Sequence, residues 1–196
     1  MLLIGIGGSG RQSLSKLASF ICLYTVFQIE ISKNYRRAEF REDIKKLYGQ
    51  AGINNKETTF IFTDTQVVDE AFLEDINNIL SSGEVPNLYK PEEMEEIKNN
   101  LEKEAKKNGI EDNNQAIYNF LLDRVKANLH VIVCMSPVGE VFRNRIRMYP
   151  ALVNCTTIDL FNEWPQEALL EVGERYLASV TLDKNEQVNV LSIFSV

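Results

Sequence analysis

With 196 residues, 44% of them hydrophobic and 25% charged, the chain has a soluble globular composition and is long enough for one α/β domain with a sizeable core. A net charge of -7 without a dominant basic patch argues against nucleic acid as a partner. No secretory signal is present, and no apolar run approaches the roughly 20 residues that span a bilayer, which argues against a membrane protein.

The first twelve residues after Met1 read as an apolar strand, Leu2-Leu3-Ile4, a glycine-rich turn, and a helix opening at about Leu14. This is the layout of a P-loop, where backbone N–H groups and a helix N-terminus cradle phosphates. Against G-x-x-x-x-G-K-[ST], Gly5 and Gly10 fit, Arg11 replaces the lysine, Gln12 replaces the Mg²⁺-binding hydroxyl, and Ser13 lies one position late. Gly5, Gly7, Gly8, Ser9, Gly10, Arg11, Gln12 and Ser13 are therefore the candidate phosphate-binding set. Leu14, Leu17, Ala18, Ile21 and Cys22 recur at helical spacing and predict a helix that packs on a sheet through them.

Further along, Phe27–Ile31 is a short β-type run, Tyr35–Tyr48 a charged amphipathic helix ended by Gly49 and Gly52, and Thr58–Thr63 a buried strand. Helices follow at Glu70–Leu80, Lys90–Lys107 and Asn114–Ala127. Leu129–Met135 is the most strand-like run. Then come a helix from Glu140 to about Met148, a strand at Cys155–Ile158 and a helix from Pro165 to about Ser179. Alternation of five strands with helices predicts a parallel sheet covered on both faces. Residues 1–180 form the nucleotide-binding unit in this scheme, residues 86–128 are a helical insertion, and 181–196 are a tail without assignment. The Lys90–Gly109 stretch is too charged to be core, which leaves a solvated insertion or a partner-docking element. Met1 abuts the first strand and the chain stops soon after one helical pattern, as expected of a piece of something larger.

Asp64 closes the Thr58–Thr63 strand, where a nucleotide-binding fold places an acid that holds Mg²⁺ directly or through water; a strand-end aspartate that caps a helix is the plainer alternative. ATPases of the AAA+ kind add a glutamate after it to polarise the attacking water, but Thr65 and Gln66 stand here, and Glu70 comes several residues later. Ser136 ends the Leu129–Met135 strand, where a polar sensor residue belongs, or else it is a turn serine before Pro137. Arg143, Arg145 and Arg147 suit an arginine finger reaching a neighbouring module's nucleotide, with surface ion pairing as the alternative. His130, the only histidine, has no partner at ligand spacing and reads as structural. Cys22, Cys134 and Cys155 lie far apart among apolar residues and read as reduced thiols of an intracellular, cytoplasmic protein.

The ordered series Gly5–Ala18, Phe62-Thr-Asp-Thr-Gln66, Phe72–Leu88, Phe142–Pro150 and Phe161-Asn-Glu-Trp-Pro165 resembles the fourth AAA+ module of dynein heavy chains, particularly the axonemal ones. The resemblance implies a P-loop AAA+ three-layer α/β sandwich with a five-stranded parallel sheet, within a ring of six such modules. It implies a regulatory site for ATP or ADP, with Mg²⁺ at Asp64 and Ser13, and a motor that works on microtubules in the axoneme of a cilium. The partners it implies are neighbouring modules, with Arg145 and Arg147 serving the third one's nucleotide, and microtubules only through the parent motor. The altered loop and absent glutamate predict binding with little or no turnover. A module with an empty site, acting through ring interfaces, is the alternative. An independent P-loop kinase would need a base and a substrate pocket that no residue pattern supplies.

Overall fold

Five parallel strands in the order β2-β3-β4-β1-β5 make the central sheet of the computed structural model, which describes residues 1–178. They are β1 (Leu2–Gly5), β2 (Thr25–Phe27), β3 (Thr58–Thr63), β4 (Leu129–Met135) and β5 (Ile158–Phe161). Residues Met1–Phe161 form one compact unit, and a second begins at Asn162. Helix α8 (Gln166–Leu177) belongs to the second unit. The expected helix end near Ser179 and the 181–196 tail lie outside the described residues.

Side chains alternate across the sheet, as strand geometry requires. Leu2, Phe60, Phe62, Val133 and Met135 face the main core. There they meet α2 (Arg37–Tyr48), α3 (Ala71–Ser81), α4 (Pro91–Lys107), α5 (Asn114–Asn128) and the single turn α7 (Ala151–Asn154). Leu3, Ile61 and Cys134 face the opposite side. Helix α1 (Arg11–Ile21) covers that side, where Ser19 Oγ meets Thr59 Oγ1 at 3.0 Å. This gives the expected three-layer α/β sandwich with β3 buried along its whole length.

Three expectations need correction. Helix α1 turns its serines, not its leucines, to the sheet: Ser15 and Ser19 are buried while Leu14, Leu17 and Phe20 are exposed. Small side chains let the helix approach closely, and each serine hydroxyl is satisfied by the carbonyl four residues back, at 2.7 and 2.8 Å. The charged stretch at Lys90–Gly109 is also partly core. Ile97, Leu101 and Ala105 recur every four residues, so one stripe of α4 is buried and its charges occupy the other faces. Pro91 begins this helix and Glu93 Oε2 accepts the Lys90 N–H at 2.7 Å, a reciprocal start that fixes its position. Finally, the last strand starts at Ile158, not Cys155, because Pro150 opens α7 and the Cys155 N–H completes it on the Ala151 carbonyl.

Helix α2 ends in a π-type turn, Gly49–Ile53, which packs under α5. A Cβ on Gly52 would lie 2.5 Å from Leu121 and 2.9 Å from Val125, so only glycine lets the two segments touch.

Candidate phosphate-binding site

The loop between β1 and α1 is set by glycine chemistry at three points. A Cβ on Gly5 would stand 2.8 Å from both the Cβ and the carbonyl oxygen of Phe161, so β1 and β5 meet with no room for a side chain. Gly8 and Gly10 take φ of 81 and 86°, the left-handed region that L side chains avoid. The Ser9 N–H closes the turn on the Ile6 carbonyl at 3.3 Å, and the Leu14 N–H donates to Gly10 at 2.9 Å as α1 begins. The helix N-terminus therefore faces the carboxyl ends of the strands, where ligands of open parallel sheets bind.

A cavity of about 600 Å³ lies over this loop. Gly7, Gly8, Ser9, Gly10, Arg11, Gln12 and Ser13 form one wall, together with Lys16 from α1. Thr63, Asp64, Thr65, Cys134 and Ser136, at the ends of β3 and β4, form the other. The sequence-predicted loop, acid and sensor positions thus converge. Asp64 Oδ2 accepts the Ser136 N–H at 2.8 Å, which locks the two strand ends together. The Ser136 Oγ accepts the Val138 N–H at 3.4 Å.

Arg11 folds back on its own loop. Its Nη2 donates to the Ile6 carbonyl at 3.1 Å, and its Nη1 is buried without a partner. Burial pushes the Cys134 thiol up to about 11, opposed by the nearby Arg11 guanidinium and reinforced by Asp64. The Arg11 charge accordingly lies close to the floor of the site, near β4. Ser9 is buried too, and its Oγ has no partner. A Cβ on Gly7 or Gly8 would meet nothing within 4 Å, so open space stands above the backbone. Unpartnered donors, free backbone and a helix N-terminus fit a phosphate group.

No group there can act as a general base in the usual place. Asp64 is the one carboxylate among the described residues that line the cavity. Gln66 caps the short turn Asp64–Gln66, with Oε1 on the Thr63 N–H at 2.9 Å and Nε2 on the Ile29 carbonyl at 2.7 Å. Glu70 is held by Arg145, whose Nε and Nη2 reach its Oε1 at 3.1 and 2.8 Å.

The arginine triplet on α6 (Glu140–Met148) separates into three environments. Arg143 pairs with Glu140 on the surface at 3.1 Å, as simple ion pairing predicts. Arg145 is largely buried against Glu70 and lines a smaller cavity of about 240 Å³ that also touches Asp64 and Ser136. Arg147 is exposed. His130 stacks on Tyr24 with ring centres 4.5 Å apart. Two features escaped the sequence. The Arg145–Glu70 link joins residues far apart in the chain, and Lys16 gives a signal only as the residue one turn after Gln12 on α1.

A parallel α/β sheet with this loop between its first strand and helix, facing an aspartate at the end of β3, defines a P-loop nucleotide-binding fold. Over residues 1–196 the chain matches the family described as P-loop containing dynein motor region D4, and it belongs to that family. It is 60% identical over 189 residues to dynein axonemal heavy chain 2 of Homo sapiens, covering 96% of this chain and 4% of that protein. The Mus musculus protein of the same name is 59% identical, with the same coverage. Dynein-1-beta heavy chain, flagellar inner arm I1 complex, of Chlamydomonas reinhardtii is 56% identical over 185 residues, covering 94% of this chain and 4% of that protein. The chain thus spans about 4% of the length of these relatives.

Proposed function

We propose that the chain is the fourth AAA+ module of an axonemal-type dynein heavy chain, binding ATP or ADP as a regulatory ligand with little or no turnover of its own. The observation that carries this is a phosphate-shaped loop and an acid, Asp64, in a cavity without a second carboxylate. The loop backbone from Gly7 to Gly10 and the start of α1 would hold the phosphates. The second oxygen of Asp64 and the Ser13 hydroxyl would hold Mg²⁺, which neutralises charge on the phosphate oxygens when bound. Neighbouring modules of the same ring are the direct partners, microtubules are reached through the parent motor, and the cilium axoneme is the place of work.

In this reading Arg147 is free to reach the preceding module's nucleotide, whereas Arg145 must first leave Glu70. Changing both to alanine in a full motor should slow hydrolysis in that module at least tenfold. An unchanged rate rejects the finger assignment.

One observation favours a second reading. Arg11 is spent on its own loop at the Ile6 carbonyl, as in a module that keeps the fold without the ligand. Calorimetric titration of ATP and ADP, with and without Mg²⁺, into this chain and into a longer one extended at both ends decides between them. Saturable binding by either chain supports the regulatory site; heat of dilution alone from both supports the structural module.

A further inference from the structure

We infer that Lys16 supplies the phosphate-contacting charge that the loop lacks at Arg11, an assignment that rests on the nucleotide-binding reading above. Only two cationic side chains are among the described residues that line the 600 Å³ cavity, Arg11 and Lys16. Arg11 is anchored: one nitrogen is bonded to Ile6, the other is buried, and the guanidinium lies close enough to Cys134 to oppose the effect of burial on that thiol. A planar fork fixed beneath the backbone braces the loop and is poorly placed to follow a ligand that enters from above.

Lys16 is the opposite case. It is exposed and makes no hydrogen bond or ion pair among the described residues. Long helical side chains lean toward the helix N-terminus. From the second turn of α1 this direction carries the ammonium back over Gln12 and Ser13, toward the end of the helix that attracts anions. Ser9 adds an independent sign of a ligand: it is 5% exposed, lines the same cavity, and its Oγ has no partner. A flexible point charge at the rim and a fixed fork at the floor divide between them what a single loop lysine does elsewhere. The molecule's net charge of -7 makes such a local cation necessary if a polyphosphate is to be drawn in.

The test is titration of ATP and of inorganic tripolyphosphate into the 196-residue chain and its Lys16→Ala, Lys16→Arg and Arg11→Ala variants. Circular dichroism and thermal melts would accompany each. Lys16→Ala should bind both probes at least tenfold more weakly with an unchanged melting temperature, and Lys16→Arg should restore most of the affinity. Arg11→Ala should lower the melting temperature. Wild-type affinity in Lys16→Ala, or a loss confined to Arg11→Ala, overturns the assignment and leaves the nucleotide site standing. If the wild-type chain binds neither probe, the nucleotide-binding reading of this chain falls, and the role of Lys16 falls with it.

Discussion

Gly5 and Gly7 sit two residues apart in one loop and answer to different constraints. At Gly5 the obstruction is the backbone and Cβ of Phe161 at 2.8 Å, which cannot swing away as a side-chain tip would. Gly5→Ala should therefore cost about 1–3 kcal/mol of stability as β5 is displaced. Gly7→Ala meets nothing, lies outside the left-handed region, and should stay within about 0.5 kcal/mol of the parent. Urea unfolding of the two variants checks the contrast; equal losses would mean that β1 and β5 are not in this register. The glycine positions were legible in the sequence because glycine reports on the backbone itself. The side chains among them were not: nothing in Gly10-Arg11-Gln12 says that Arg11 bends to Ile6 or that Gln66, far along the chain, braces Ile29. Such bonds depend on which rotamer the surrounding space permits.

Among the elements, α2 and α3 are clamped by a buried charge. Asp75 is fully buried and accepts from Arg37 and Arg41, each with an Nη2–Oδ1 distance of 3.0 Å. Arg37 also reaches Glu74 at 2.9 Å, and its own pKa is raised chiefly by the hydrogen bond to Asp75. Either arginine alone still neutralises the carboxylate, so single alanine variants should cost modestly. The double variant Arg37→Ala/Arg41→Ala strands a buried charge and should cost about 3–5 kcal/mol, more than the sum of the singles. Chemical denaturation of the three variants measures this, and simple additivity would show that the two arginines act independently. Element types were largely readable. The runs at Leu129–Met135 and Glu140–Met148 match β4 and α6 at both ends, because β-branched density and helical spacing agree there with tertiary packing. The orientation of α1 was unreadable, since its apolar stripe is real but faces outward. A helix declares its two faces and leaves open which one meets the sheet. The charged α4 misled for a related reason: three buried positions suffice to seat a helix whose composition is otherwise polar.

At the scale of the whole molecule, the sheet order places the first strand between the two last ones. Leu2 pairs with Val133 on one side and Ile158 on the other, so β1 has no partner from the first half of the chain. The β2–β3 pair and the helices packed on it can form from local sequence, whereas the loop at Gly5–Ser13 waits for strands of high sequence separation. Synthesis from the N-terminus turns this spacing into a schedule. Ribosome-bound chains ending at Met148 should be cleaved by added protease within residues 5–13, and chains with Phe161 clear of the exit tunnel should resist. Protection of the shorter chains would show that β4 alone can recruit β1. The first residues to be made are thus the last to be put to use, and until β5 emerges the growing chain carries its phosphate loop as an unfolded leader.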